Sequence, residues 1–271
     1  MAENNNRNDR DLGGAASGEK HTVSFLRRSA AEVKRYRIYR RVIPAVSGAI
    51  VALLVIVYII SLLFSKYGSF TVKINDLNDR RYALSLSEHE RFSNPVSRLN
   101  SKAVKDVTNI DGNSLPGNLN DEDGEHNGEN YVAYTFYLKN TGSLEFTYNY
   151  QLVISRMTSG LDSAVRVRIY YTPFFYTAET GEHIYDGSYT DYAKAKTGGN
   201  GEPEIDPENR VMTNFVGAGT VAEGTVNGFK PGDISKITVV IWIEGNDPDC
   251  TDDLLGGEFK VDMVMEVAGA S

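Results

Sequence analysis

Tyr131–Ile154, YVAYTFYLKNTGSLEFTYNYQLVI, decides the fold. Successive side chains of a strand point to opposite faces, so Val132, Tyr134, Phe136 and Leu138 share one side of an extended chain. Leu144, Phe146, Tyr148, Tyr150, Leu152 and Ile154 do the same in the second half. Between them, Lys139-Asn140-Thr141-Gly142-Ser143 reads as a hairpin turn.

The same period continues on both sides. Downstream, Val165, Val167 and Ile169 alternate with Arg166 and Arg168, which predicts one dry face and one wet face. Met212–Val216 and Thr220–Val226 are weaker strands, and Phe229-Lys230-Pro231-Gly232-Asp233 is a turn. Lys236–Ile243 (KITVVIWI) is apolar on both faces and reads as a central strand. Glu258–Val267 alternates again, with Phe259, Val261, Met263, Met265 and Val267 inward. Upstream, Ser69–Ile74 (SFTVKI) and Tyr82–Leu86 (YALSL) are short strands. Residues 88–130 are polar and loop-like. A stretch of that length is functional, mobile or wrapped over the surface. Many short strands with turn signals, and almost no amphipathic helix, point to an all-β antiparallel sandwich over residues 68–271. Immunoglobulin-like and jelly-roll orders both stay open, and a barrel is the alternative fold.

Before this domain comes Val42–Ser65, VIPAVSGAIVALLVIVYIISLLFS, with no charged residue. As a helix it reaches roughly 36 Å, against about 30 Å for the hydrocarbon core of a bilayer. Lys20, Arg27, Arg28, Lys34, Arg35, Arg37, Arg40 and Arg41 precede it, while Lys66 is the one base immediately after it. Excess Lys and Arg stay on the cytoplasmic side, so the N-terminus is expected inside and the C-terminal domain outside. A cleaved signal peptide would have a shorter apolar region, about 7–15 residues, and a small-x-small site. SLLFSKYGS offers no such site, which favours an uncleaved signal anchor. The expected map is a disordered cytoplasmic tail at 1–28, a basic juxtamembrane helix at 29–41, the span at 42–65 and the extracellular domain at 68–271. Ser29-x-x-Glu32 is a capping box for the juxtamembrane helix, and Pro44 marks an expected kink.

Charge divides with topology: residues 1–41 carry +5 and residues 66–271 carry −13. An acidic exterior excludes a nucleic-acid footprint, and the basic tail suits an anionic inner leaflet. Cys250 is the sole cysteine, so no intrachain disulfide supports the core. No N-x-[ST] sequon occurs. Both facts suit a bacterial surface protein.

Motifs for catalysis are missing. Gly217-Ala218-Gly219-Thr220-Val221-Ala222 matches a dinucleotide fingerprint on paper, yet strand-like chemistry follows it instead of a helix. His21, His89, His126 and His183 form no zinc spacing, and no G-x-S-x-G is present. The expectation is a protein that is not an enzyme. Two acidic loops remain, one at Asp121, Glu122, Asp123, Glu125 and Glu129, the other at Glu244, Asp247, Asp249, Asp252 and Asp253. Crowded carboxylates repel. They either splay into solvent and cap backbone amides, or share a hard cation such as calcium. The second loop is the candidate calcium site.

Three stretches carry a resemblance: Asn109–Pro116 (NIDGNSLP), His126–Asn140 (HNGENYVAYTFYLKN) and Thr238–Glu258 (TVVIWIEGNDPDCTDDLLGGE). With them the chain is similar to uncharacterised membrane-anchored proteins of Gram-positive bacteria, over most of residues 69–267. More remotely, Trp242–Val267 resembles the TasA/camelysin group of secreted β-sandwich proteins, which implies surface fibres built by strand exchange. This chain departs from that pattern at its N-terminus. It keeps a long basic tail and an uncleaved span, and it lacks the short segment that donates the strand. The closer resemblance implies a fold and a location but no activity. The expected role is a non-catalytic interaction or structural module of the cell envelope. Its expected partners are the membrane lipid bilayer and a cell-wall or surface protein, with no nucleic acid. A ligand- or calcium-sensing ectodomain signalling to the tail is the alternative.

Overall fold

The structure, a computed structural model, describes residues 42–59, 68–75, 81–104, 106–177, 183–206 and 208–268. The expectations for the tail, the juxtamembrane helix and the last turns of the span lie outside these residues. The chain divides into two units, Met1–Leu63 and Phe64–Ser271.

In the first unit Val42–Ile59 is helical, an 18-residue helix long and apolar enough to cross a membrane. It rises about 27 Å at 1.5 Å per residue. Inside the helix Ser47 Oγ donates to the Pro44 carbonyl at 3.1 Å, which satisfies a hydroxyl without water.

Fourteen strands follow among the described residues of the second unit. They are β1 (Phe70–Asn75), β2 (Leu84–Ser87), β3 (Arg98–Asn100), β4 (Gly124–Glu125), β5 (Tyr131–Asn140), β6 (Phe146–Met157) and β7 (Val165–Thr172), then β8 (Tyr176–Thr177), β9 (His183–Ile184), β10 (Tyr189–Ala193), β11 (Thr213–Asn214), β12 (Thr220–Phe229), β13 (Ile234–Ile243) and β14 (Phe259–Val267). One sheet runs β12-β6-β14-β1-β3. The second runs β11-β10-β7-β13-β5-β2, with β4 also on β5. The unit is therefore all-β, built on these two sheets, with β8 and β9 paired to each other apart from them.

Two expectations change here. Pairing is not antiparallel throughout, because β1 lies parallel to β14 from Phe70↔Val261 to Asn75↔Glu266. Parallel neighbours need a long connection between them, and nearly the whole domain supplies it. Nor is Lys139–Ser143 a hairpin turn, since β5 and β6 belong to different sheets. It is a corner. The Asn140 amide donates to the carbonyls of Leu144 at 3.0 Å and Phe229 at 2.8 Å. Its carbonyl oxygen accepts from the Gly142 N–H at 2.9 Å. A buried asparagine thus satisfies the backbone where the chain changes sheets.

The corner explains the pattern. Val132, Tyr134, Phe136 and Leu138 of β5, with Phe146, Tyr148 and Leu152 of β6, face one shared core. Ile237, Val239 and Ile241 of β13 and Val261, Met263, Met265 and Val267 of β14 complete it. Each fully buried side chain of this size contributes about 1.5–3 kcal/mol. Leu144, expected inward, lies in the corner and is exposed.

The second sheet is buried on its other face too. Ala133, Tyr170, Val240 and Trp242 meet Leu119 in a separate cluster, against which Ile110 and Leu115 pack. These three partners come from residues 88–130. That stretch is held by backbone bonds, Ile110 N–H to Ile243 O at 2.9 Å and His126 N–H to Ala133 O at 3.1 Å. The His126 ring nitrogens sit 2.9 Å from the carbonyls of Gly124 and Leu119. Polar composition had hidden β3 and β4 within it.

Candidate functional site

The outer face of the second sheet is where charge collects. Arg166 and Arg168, expected on a wet face, are both buried. The reason is that β10, the neighbour of β7 in the sheet, sets Asp191 beside Arg168, and the loop after β13 brings Asp247 to Arg166. Arg168 donates to Asp191 of β10 through Nε at 2.7 Å and Nη2 at 2.9 Å. A bidentate arginine–carboxylate pair is among the stronger ionic contacts. The Arg168 guanidinium also lies 3.9 Å from the centre of the Tyr189 ring and 5.6 Å from that of Trp242. Burial opposes its charge, but the hydrogen bonds and charge of Asp191 outweigh burial and push its pKa above the ordinary value.

A second pair sits beside the first. Asp206 accepts from the backbone N–H of Glu208 at 3.0 Å and of Arg210 at 2.7 Å, and from the Arg210 guanidinium. Burial alone would raise the Asp206 carboxyl, yet these bonds to Arg210 and Glu208 hold it below its usual value. Arg210 Nη1 donates to the Tyr189 hydroxyl at 3.0 Å. Tyr189, Asp191, Asp206 and Arg210 therefore form one connected wall. They line an open cleft of about 220 Å³, together with Val211 and Thr213. Behind it a void of about 10 Å³ reaches Trp242, Glu244 and Gly112, room for about one water.

The five carboxylates of the 244–253 loop go to different partners. Glu244 Oε2 accepts from Trp242 Nε1 at 3.0 Å and Gly112 N–H at 3.1 Å, and Oε1 from Asn246 N–H at 3.2 Å. Asp247 pairs with Arg166 and accepts from Asp249 N–H at 2.7 Å. Asp249 accepts from the Thr197 hydroxyl at 2.5 Å, and Asp252 and Asp253 are exposed. Among the described residues no group of three or more His, Cys, Asp or Glu is placed to hold a metal ion. The five carboxylates are thus spread over separate partners. Internal amides and Arg166 relieve the crowding. Asp123 of the first loop likewise accepts from the Tyr137 hydroxyl at 2.6 Å.

Sequence reasoning missed Arg168, Asp191, Asp206 and Arg210. Their signals were weak: two arginines inside an alternating strand, and Asp206-Pro207-Glu208-Asn209-Arg210 as a turn. Gly217 N–H bonds Thr220 O at 3.1 Å, closing a turn into β12, so the glycine pair introduces a strand.

No protein-family model matches the chain. No curated protein matches it either. One solved structure, a beta-glucosidase from Kluyveromyces marxianus in complex with glucose, is similar at 14% identity and a TM-score of 0.19. The match covers 67% of this chain and 15% of that one. A likeness so weak carries no structural argument.

Calcium and a chelator are expected to give the same melting temperature for the full chain, and for Asp249→Ala. A site that bound only the folded state would add about 2.7 kcal/mol at a hundredfold excess over Kd. A calcium-dependent rise that disappears in Asp252→Ala would reinstate the cation.

Proposed function

We propose that the chain is a single-pass membrane protein, N-terminus inside, which displays a non-catalytic β-sandwich as an interaction or structural module of the cell envelope. The observation that carries this is the helix Val42–Ile59, apolar, uncharged and long enough to cross a membrane. An apolar surface of that extent needs a partner, and a bilayer matches its length. The preceding run of bases supplies the orientation. Two sheets around one shared core support the sandwich. The resemblance to membrane-anchored surface proteins of Gram-positive bacteria agrees with this reading.

Cys250, the sole cysteine and half-buried, makes the test direct. A membrane-impermeant maleimide on intact, wall-stripped cells is expected to label Cys250. In a Cys250→Ser background, Ser17→Cys should be labelled only after permeabilisation. Labelling of the purified chain in detergent confirms that the thiol is reachable. The reverse pattern, tail labelled and Cys250 protected, would overturn the orientation.

A further inference from the structure

We propose that the open cleft beside β10 binds a neutral pyranose ring of a glycan. This rests on the reading of the domain as an interaction module and names the chemistry that it recognises.

The wall of the cleft is charged but closed on itself. Asp191 is answered by Arg168, and Asp206 by Arg210. A free anion or cation entering here would have to compete with a partner already in place. A ligand bearing hydroxyls would not, because each hydroxyl both donates and accepts. Carboxylates keep spare lone pairs after accepting from arginine, and a guanidinium carries five N–H groups. Arg210 spends one on Asp206 and one on Tyr189, and its Nη2 lies 3.6 Å from Glu208. Its side chain is still 45% exposed. Thr190 and Thr213, both exposed, add hydroxyls at the rim.

The apolar side of the cleft is equally suited. Tyr189 is 41% exposed, a large share for an aromatic ring. It is nonetheless fixed, by Arg168 stacked at 3.9 Å, by Tyr170 at 5.2 Å and by Arg210 on its hydroxyl. A ring fixed before binding loses little entropy on binding. Val211, 67% exposed, also lines the cleft. A pyranose has an apolar C–H face and an equatorial belt of hydroxyls. It therefore matches a wall that offers one ring and two planar ionic pairs. The volume, about 220 Å³, lies below the roughly 300–1,000 Å³ of sites for drug-sized ligands. It suits one ring, and the open mouth lets a glycan continue past it.

Trp242 provides the readout. It is the sole tryptophan and lines the inner void together with Arg168 and Glu244. The full chain, in a zwitterionic detergent without sugar, is titrated with maltotetraose, cellotetraose, chitotetraose and mannotetraose. Tetraglycine and inorganic phosphate serve as controls. Tryptophan emission and isothermal titration calorimetry are followed together. At least one neutral tetrasaccharide is expected to bind saturably, with Kd raised tenfold or more in both Tyr189→Ala and Val211→Arg. Val211→Arg changes an exposed position, so its effect does not depend on refolding the wall. No binding of any of the four sugars in either measurement overturns the proposal. So does a sugar affinity unchanged in the two variants, or binding of tetraglycine or phosphate alone. The titration is blind to topology and the Cys250 labelling is blind to the cleft, so the two readings fail separately.

Discussion

Trp242→Ala lowers the melting temperature of the β-rich unit by about 6–20 °C. The estimate follows from about 3–5 kcal/mol for deleting a buried tryptophan. A domain of 150–250 residues loses roughly 2–4 °C per kcal/mol. The residue is 2% exposed and packs with Leu119, Ala133, Tyr170 and Val240. Two effects add to the cavity. Glu244 loses the indole N–H, one of its three donors. The chain at Gly112 loses its floor, since a Cβ built there would stand 3.1 Å from the Trp242 ring. Trp242→Phe keeps most of the bulk and drops the donor, while Glu244 Oε2 still accepts from the Gly112 N–H, so it should cost less, about 1.5–3 kcal/mol for the lost hydrogen bond to a charged group. Calorimetry of both variants checks the order. Faster hydrogen exchange at the Gly112 amide, in Trp242→Ala more than in Trp242→Phe, locates the damage. A shift in Trp242→Ala no larger than in Trp242→Phe would mean that the 88–130 segment does not rest on the indole.

The sequence made the inner faces legible and the outer face illegible, for one physical reason. Period two reports which side chains are apolar, not which sheet they join. Val132 to Leu138 and Phe146 to Leu152 were both read correctly as core faces, yet Asn140 turns the chain between sheets, and no local signal separates that corner from a hairpin. The second covering layer is polar. Residues 88–130 cover the face with scattered apolar contacts such as Ile110, Leu115 and Leu119 rather than a periodic stripe, and β10 (YTDYA), which extends the sheet beside β7, carries charge, so both look like solvent-facing loop. Arg166 and Arg168 consequently read as wet when they are buried. The carboxylates of the 244–253 loop were visible as a crowd, while the arginine that answers one of them lies about eighty residues away in the chain. Long-range charge pairing leaves no trace in spacing.

The pair Arg166–Asp247 gives the second large effect. Their side chains are 3% and 1% exposed. Arg166 Nη1 also donates to the carbonyls of Ser163 and Val165, both at 3.2 Å, while Nε has no partner among the described residues. Removing one partner of a buried pair leaves an uncompensated charge and costs about 3–5 kcal/mol. Arg166→Met and Asp247→Leu are each expected to lose that much. Replacing both by apolar bulk is often neutral or stabilising by about 1–4 kcal/mol, so Arg166→Met/Asp247→Leu should be more stable than either single variant. Acidity adds an independent sign. Burial and the Asp247 charge already hold the Glu204 carboxyl above its ordinary value, and Arg166 is the leading counterweight. Without Arg166, the Glu204 carboxyl is raised further, and the folded state binds its proton more tightly than the unfolded state. Stability then falls as pH rises through the carboxylate range and recovers as pH drops. The deficit of Arg166→Met against wild type should therefore be smaller near pH 5 than near pH 7, and the Asp247→Leu deficit should not shrink in the same way. Urea denaturation at the two pH values measures all four proteins of the cycle. A double variant as unstable as the sum of the singles would show that the two residues act separately. In that case the pair would not be what anchors the acidic loop to β7.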